Sequence, residues 1–349
     1  MGRTKKNNLL GQHITAPEDL LMYMKQVITI TGAGGTVGMS LTKYFLNTNA
    51  DIEVRAIERS EEAVSRLIDI ATRNKNLKIF LTDLINYADI EEILSGSNVI
   101  VHCAALKHVT VGSMFPEVLA YQNVSCFCNI VRAAKKHKVD KIILCSTDKS
   151  STPTSVMGTS KLLLEKIACF SSNRFSKFAA VRFGNILNSS GSIIPRIISN
   201  LKNNEKININ HKNMTRYILT ENDFQNLITH ALNNMRGGEV FIPNVKSLKI
   251  YDLITNLIEL FCEKYNLSSD KIATKILKNP YNENVNERMV NFDEFKYLHK
   301  SGDYFVLKQT RRNKIINKQD DHYSHLLSSS ENNLSKEEIK ILLNKIGVI

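Results

Sequence analysis

The segment VITITGAGGTVG, Val27–Gly38, constrains the fold of this chain more than any other. A run of β-branched residues leads directly into Gly32, Gly35 and Gly38, spaced as T-G-x-x-G-x-x-G. A strand that ends in such a turn and continues as a helix opens a dinucleotide-binding βαβ unit. The first glycine permits the tight turn, the second lets backbone approach a pyrophosphate, and the third lets helix pack closely on strand. Thr36, Val37 and Gly38 then begin a helix whose N–H groups and dipole face the phosphates.

The alternation begun there continues. Apolar runs at Val27–Thr31, Ile52–Ile57, Val99–Cys103 and Lys141–Cys145 are separated by helix-like stretches such as Glu61–Ile70 and Pro116–Lys136. That pattern predicts an α/β fold, a Rossmann-like doubly wound parallel sheet covered on both faces. Further strands are expected at Phe178–Arg182 and Glu239–Pro243. Beyond Gly184 the alternation loosens into a strand near Lys206–Asn210 and helices near Glu221–Asn234 and Tyr251–Tyr265. The expected organisation is an extension over 1–25, a dinucleotide-binding domain over 26–184 with 212–245 returning to it, and a smaller C-terminal substrate-binding lobe from 185–211 and 246–349. Ser335 followed by Glu338 marks a capped terminal helix, Ser335–Leu343.

Composition excludes several alternatives. A chain of 349 residues with 43% hydrophobic content can bury a sizeable core. No apolar run approaches the roughly 20 residues that span a bilayer, and no signal-peptide core is visible, so a soluble, cytoplasmic protein is expected. The six cysteines, Cys103, Cys126, Cys128, Cys145, Cys169 and Cys262, lack paired spacing and read as reduced core thiols, with no metal site expected. A net charge of +12 invites a nucleic-acid reading. The basic residues are scattered, however, with short clusters at Arg3–Lys6, Lys135–Lys138 and Arg311–Lys318 and no nucleic-acid-binding motif, so no nucleic-acid partner is expected.

The second strand ends in AIERS. Glu58 stands where a carboxylate accepts hydrogen bonds from both adenosine ribose hydroxyls, which favours NAD. Arg59 follows at once and could pair with the 2′-phosphate of NADP. Asp83, in FLTDL, is placed either to meet the adenine amino group or to cap the helix Asn86–Leu94.

Five stretches together resemble one family: TGAGGTVG (Thr31–Gly38), HCAALKHV (His102–Val109), STDK…VMGTSK (Ser146–Lys161), RFGN…GSIIP (Arg182–Pro195) and MTRY (Met214–Tyr217). The chain resembles the UDP-N-acetylglucosamine 4,6-dehydratases, in the polysaccharide-biosynthesis branch of the extended short-chain dehydrogenases, from about Val27 to Val245. Met157 stands at the position of the usual tyrosine, as in some members of that branch.

The resemblance implies a UDP-sugar substrate and the formation of a 4-keto-6-deoxy sugar for surface polysaccharide or glycan synthesis. It assigns Asp148 as acid and Lys149 as base, with Thr147 the hydroxyl nearest to them and Lys161 on the nicotinamide ribose. Lys149 then has to be neutral, through desolvation or the charge of Lys161, and Asp148 has to hold a proton. Lys161 lies one helical turn after Met157, on the same side of the helix. Leu84, Ala104 and Ala105 complete the implied cofactor contacts, and Asn123 orders the catalytic lysine. Lys107, Asn185, Ser192, Ile193, Arg216 and Glu283 are the implied substrate contacts, and a dimer or hexamer is implied.

The match has gaps. Asn188 and Ser190 stand where a glycine and an arginine belong, and Ser113 or a neighbour where an acid belongs. The late Arg-x-Gly-Glu-Lys element survives as NPYNENVNE, which keeps Glu283 and Glu287 without the arginine, glycine or lysine. The segment LLGQHITAPEDLLMYMKQV resembles the one that precedes the catalytic domain in membrane-anchored relatives. Two other functions fit parts of the pattern: a UDP-hexose 4-epimerase, which needs no Asp148–Lys149 pair, and a cofactor-bound scaffold without turnover.

Overall fold

The computed structural model describes residues 26–189, 191–269, 272–277, 283–308 and 321–348. The N-terminal segment, Ser190 and the basic cluster 311–318 lie outside the described residues. The apolar runs form β1 (Val27–Thr31), β2 (Glu53–Glu58), β3 (Leu77–Leu81), β4 (Val99–His102), β5 (Lys141–Thr147) and β6 (Lys177–Phe183). Helices Thr36–Thr48, Glu61–Ala71, Tyr87–Leu94, Cys126–Lys136 and Val156–Ser171 link them. Then come β7 (Asn185–Ile186), β8 (Ile207–Ile209), β9 (Thr215–Leu219), β10 (Glu239–Pro243), β11 (Ser247–Lys249) and β12 (Thr274–Ile276). A hairpin of β13 (Leu298–Ser301) and β14 (Tyr304–Lys308) follows.

Among the described residues nine strands make one sheet, in the order β13-β14-β10-β6-β5-β4-β1-β2-β3. All pairs from β10 to β3 are parallel, and β14 pairs antiparallel with both β10 and β13. Crossover helices cover both faces of a parallel sheet, so alternate side chains of one strand enter different cores. β5 does this: Ile142 and Leu144 join Phe127, Ile130 and Leu164, while Ile143 and Cys145 join Leu41, Phe45 and Leu227. The chain reverses its direction of strand addition between β1 and β4, and ligands of open α/β sheets bind in the crevice at that switch. A third apolar cluster, around Ile194, Leu201, Leu257, Phe261, Ile339 and Leu343, belongs to the smaller lobe. Two small sheets, β11-β9-β7 and β12-β8, accompany it.

Two elements differ from expectation. The single helix expected over Pro116–Lys136 is three pieces: an α-helix Pro116–Ala120, a π turn Tyr121–Ser125 and an α-helix Cys126–Lys136. The wider turn brings Asn123 inward, where it accepts from the Leu106 N–H at 2.8 Å and donates to the Leu106 carbonyl at 3.2 Å. The second is the hairpin β13–β14, expected within the smaller lobe, which instead extends the main sheet beyond β10 and covers an edge that would otherwise lie open. The terminal helix is Lys336–Lys345, and Ser335 and Glu338 form the expected capping box.

His102, at the end of β4, is fully buried beside Phe127, and its Nδ1 bonds the Thr31 hydroxyl at 2.8 Å. Burial, helped by the charge of Lys161, pushes its pKa down to about 3. The unfolded chain takes a proton near pH 6.5 that the folded chain refuses until about pH 3, so stability falls as pH drops through this window. At pH 5 the loss from this residue is about 2 kcal/mol. His102→Gln should remove about that much of the drop in unfolding free energy between pH 7 and pH 5. Denaturant titrations at the two pH values measure it.

Candidate active site

A cleft of about 650 Å³ opens at the switch between β1 and β4. Its floor is the glycine-rich turn. The helix Thr36–Thr48 is capped by Gly35, which brings no side chain to the turn, and its first turn holds no acid. The approach of helix to turn is so close that a Cβ on Gly38 would lie 2.2 Å from the Gly32 carbonyl oxygen. Gly32, Gly35, Thr36, Val37 and Gly38 all line this end, which suits a negatively charged pyrophosphate.

The other cofactor residues expected from sequence, Lys161 excepted, line the same cleft. Glu58 ends β2 with one carboxylate oxygen on the Gly34 N–H at 3.0 Å and the other on the Arg59 N–H at 2.9 Å. The carboxylate is thereby held beside the glycine turn. The Arg59 guanidinium donates to Gln122 at 2.9 Å and lies 3.6 Å from Asp83, so it faces across the cleft. Asp83 does not cap the following helix. It accepts from the Ile85 N–H at 3.0 Å, while Asn86 occupies the cap position of the helix Tyr87–Leu94. Leu84, Ala104, Ala105, Lys107 and Asn123 complete the wall.

Asp148, Lys149, Met157 and Lys161 are not part of that wall. They stand at the ends of β5 and the following helix. Asp148 is 1% exposed, and its Oδ1 accepts from the Thr147 hydroxyl at 2.9 Å and from Lys149 Nζ at 3.1 Å. Its Oδ2 is buried without a partner. The helix Val156–Ser171 presses on this loop so closely that a Cβ on Gly158 would meet the Lys149 carbonyl at 2.6 Å. Glycine is therefore required directly after Met157. Met157 itself is buried.

Lys161 is buried and donates to the Cys145 carbonyl at 2.8 Å. Asn123 reaches the neighbouring Ser160 hydroxyl at 3.2 Å, so it acts on the helix beside Lys161.

The electrostatics of the loop differ from the sequence expectation. Burial raises the Asp148 pKa, and Glu287 adds to the rise against the opposing pull of Lys149. Burial alone would lower Lys149, but the carboxylates of Asp148 and Glu287 outweigh it and hold the lysine protonated to higher pH. Lys161 does not depress it, because Lys161 points to the Cys145 backbone. Glu287 comes within 3.3 Å of Lys149 Nζ and is only 3% exposed.

Two further residues gain their setting from tertiary contacts. Arg216 is buried, with its guanidinium on Glu283 at 3.0 Å, on the Asn284 carbonyl at 3.0 Å and 3.9 Å from Glu287. Asn185 of β7 pairs with Ile218 of β9, close along the strand to Arg216. Ser192 caps the helix that begins at Ile193, and its hydroxyl is buried without a partner. Asn188, in the place of an expected glycine, has φ of 53°, a left-handed conformation that asparagine tolerates better than most residues.

Arg182 was not singled out from sequence as a site residue. It is fully buried, bonded to Glu165 at 2.6 and 3.0 Å, to Glu294 at 2.8 and 2.9 Å, and to the Met289 carbonyl at 2.8 Å. Glu165 also accepts from Ser146 and Ser150, each at 2.6 Å. The cluster ties the Asp148–Lys149 loop to the helix Val156–Ser171 and to the segment that carries Glu287. A charged residue inside the apolar run KFAAVRF was the available signal.

Among the described residues no helix is long and apolar enough to cross a membrane, and no group of three or more His, Cys, Asp or Glu could hold a metal ion.

Comparison with known proteins places this architecture. The model of the polysaccharide biosynthesis protein family matches residues 28–309. An uncharacterized membrane protein of Methanocaldococcus jannaschii is 31% identical over 94% of this chain and 98% of its own. The UDP-glucose 4-epimerase of Rickettsia canadensis is 29% identical over 94% of this chain and 98% of its own. The crystal structure of Pen from Bacillus thuringiensis superposes with a TM-score of 0.86 at 26% identity, covering 94% of this chain and 99% of that one. With a family model across most of its length and a relative of this identity along almost all of it, the chain belongs to the polysaccharide biosynthesis protein family.

Proposed function

We propose that this protein modifies a nucleotide sugar with bound NAD, and that the reaction is 4,6-dehydration of UDP-N-acetylglucosamine or a close UDP-hexosamine. The observation that carries the reading is the pair of buried Asp148 and part-buried Lys149, hydrogen-bonded at 3.1 Å at the carboxyl end of β5. Glu58, fixed at the ribose end of the cleft, supports NAD over NADP. Bound NAD would supply the hydride chemistry, at C4 first and at C6 afterwards, while the C4 hydroxyl would lose its proton by way of the Thr147 hydroxyl and C5 would regain one from Lys149.

The chain's part lies in the elimination between these hydride transfers. The C4 ketone acidifies the C5 hydrogen. Lys149 takes that proton, a C5–C6 double bond forms, and Asp148 gives its proton to the C6 oxygen, which leaves as water. This needs a neutral amine beside a protonated carboxyl. Such a pair carries the same number of protons as an ammonium–carboxylate pair, and one proton shift along the 3.1 Å hydrogen bond interconverts them. Burial favours the uncharged form because it avoids two desolvated charges, while Glu287 favours the ammonium, so the neutral amine is the minor form on which the reaction draws. Lys161, Asn123 and the Ser192 hydroxyl would hold ribose, helix and substrate, and the diphosphate would draw Arg216 from Glu283.

The Rickettsia relative's name makes 4-epimerisation the second reading, since an epimerase also begins with hydride removal at C4. Incubation with UDP-N-acetylglucosamine in D2O, followed by NMR and mass spectrometry, separates the two. Dehydration yields a 4-keto-6-deoxy sugar with deuterium at C5. Isomers of unchanged mass would establish epimerisation instead.

A further inference from the structure

We infer that Glu287 is a positioning residue for the proton pair: its carboxylate holds the Lys149 ammonium group and sets the pH at which Asp148 and Lys149 share a single proton. The inference rests on the dehydratase reading for its meaning in turnover, but its electrostatic content stands apart from it.

Glu287 is delivered by a rigid segment. Its N–H donates to the Ser329 hydroxyl and its carbonyl accepts from the Ser329 N–H, both at 2.8 Å. Next to it, the Arg288 carbonyl accepts from the Ser151 hydroxyl at 2.6 Å, and Asn291 donates to the Ser151 carbonyl at 2.8 Å. The segment is thus bolted to the loop that carries Asp148 and Lys149. The side chain has no freedom either: one oxygen accepts from Asn284 at 3.2 Å, and the other lies 3.3 Å from Lys149 Nζ and 3.9 Å from Arg216.

Lys149 therefore sits between two buried carboxylates, and only one of them, Asp148, has an oxygen with no partner. A proton on that oxygen satisfies it, and at pH values low enough for Asp148 and Lys149 both to hold protons Glu287 is the counter-ion of the lysine. The groups facing Asp148 are Lys149 and Thr147 on its own loop, Glu287, and Tyr217 from β9, with Arg216 balancing Glu287 from the same strand. The Tyr217 hydroxyl stays protonated, because burial raises its pKa and it donates to the His325 carbonyl at 2.5 Å. Glu287 is the negative charge that a substitution removes without emptying the site.

A buried negative charge favours the protonated form of both neighbours, so its removal lowers both macroscopic pKa values of the pair. Glu287→Gln keeps the size and the hydrogen bond to Asn284. In ligand-free protein labelled with 13C at aspartate carboxyls, with the Asp148 signal assigned by Asp148→Asn, the midpoint in Glu287→Gln is expected about one pH unit or more below wild type. Glu287→Asp, which keeps the charge, is expected to restore most of it. In turnover, the pH optimum for dehydration of UDP-N-acetylglucosamine moves to lower pH in Glu287→Gln. A uniform loss of rate with both midpoint and optimum unmoved would reduce Glu287 to a packing role and overturn the inference. If wild type forms no 4-keto-6-deoxy sugar, the dehydratase reading fails, while the carboxyl titration still decides for or against Glu287.

Discussion

Asp148→Asn is expected to lower dehydration of UDP-N-acetylglucosamine by about 10²–10⁴-fold, the usual contribution of a positioned proton carrier. The side chain is buried, and asparagine matches its shape, so the fold should persist. What goes is the proton for the departing C6 oxygen: an amide cannot supply one at neutral pH. Lys149→Ala is expected to cost a similar factor through loss of the base. Because the two groups share one proton, the double variant should be scarcely slower than either single one, as for other residues that act as a unit. Product formation followed by NMR gives all three rates. A Lys149→Ala enzyme that released water at the wild-type rate would remove lysine from the reaction.

The second large effect concerns stability. Arg182→Ala is expected to destabilise the fold by about 3–5 kcal/mol, because it strands the buried carboxylate of Glu165 and the partly buried one of Glu294. Burial alone would raise the pKa of Glu165; Arg182 and the serine hydroxyls of Ser146 and Ser150 hold it below the usual carboxylate range. Without the guanidinium that balance reverses and the carboxyl takes a proton. The loss reaches the candidate site as well, since Ser146 and Ser150 flank Asp148 and Met289 follows closely on Glu287. Replacing Arg182 by methionine and Glu165 by glutamine together should recover part of the stability, because no unpaired charge is then left at position 165 and the amide oxygen can still accept from Ser146 and Ser150. Urea unfolding of the two variants against wild type measures both quantities.

The parts of the site that were legible share one property: their chemistry is local in the chain. The glycine turn and Glu58 at the end of β2 are each a strand end followed by a characteristic turn, so spacing reveals them, whereas the STDK loop stands out through its resemblance to the dehydratase family. The sheet was legible for the same reason, because β1, β2, β4, β5 and β6 are apolar runs buried on both faces. The hairpin β13–β14 was not. It stands beside a polar stretch, and its strandness depends on the free edge of β10.

Sequence by itself determined the parallel sheet and the glycine-lined cleft, because short-range periodicity and backbone sterics specify both. Tertiary structure decided the charge state of the pair that matters most. Glu287 and Lys149 lie far apart along the chain, and the segment around Glu287 is tied to the loop of Asp148 and Lys149 across 137 positions, from Ser151 to Arg288. Lys161, close in sequence, turns instead to a backbone carbonyl. Coulomb energy depends on distance and burial through space, and the order of residues encodes neither.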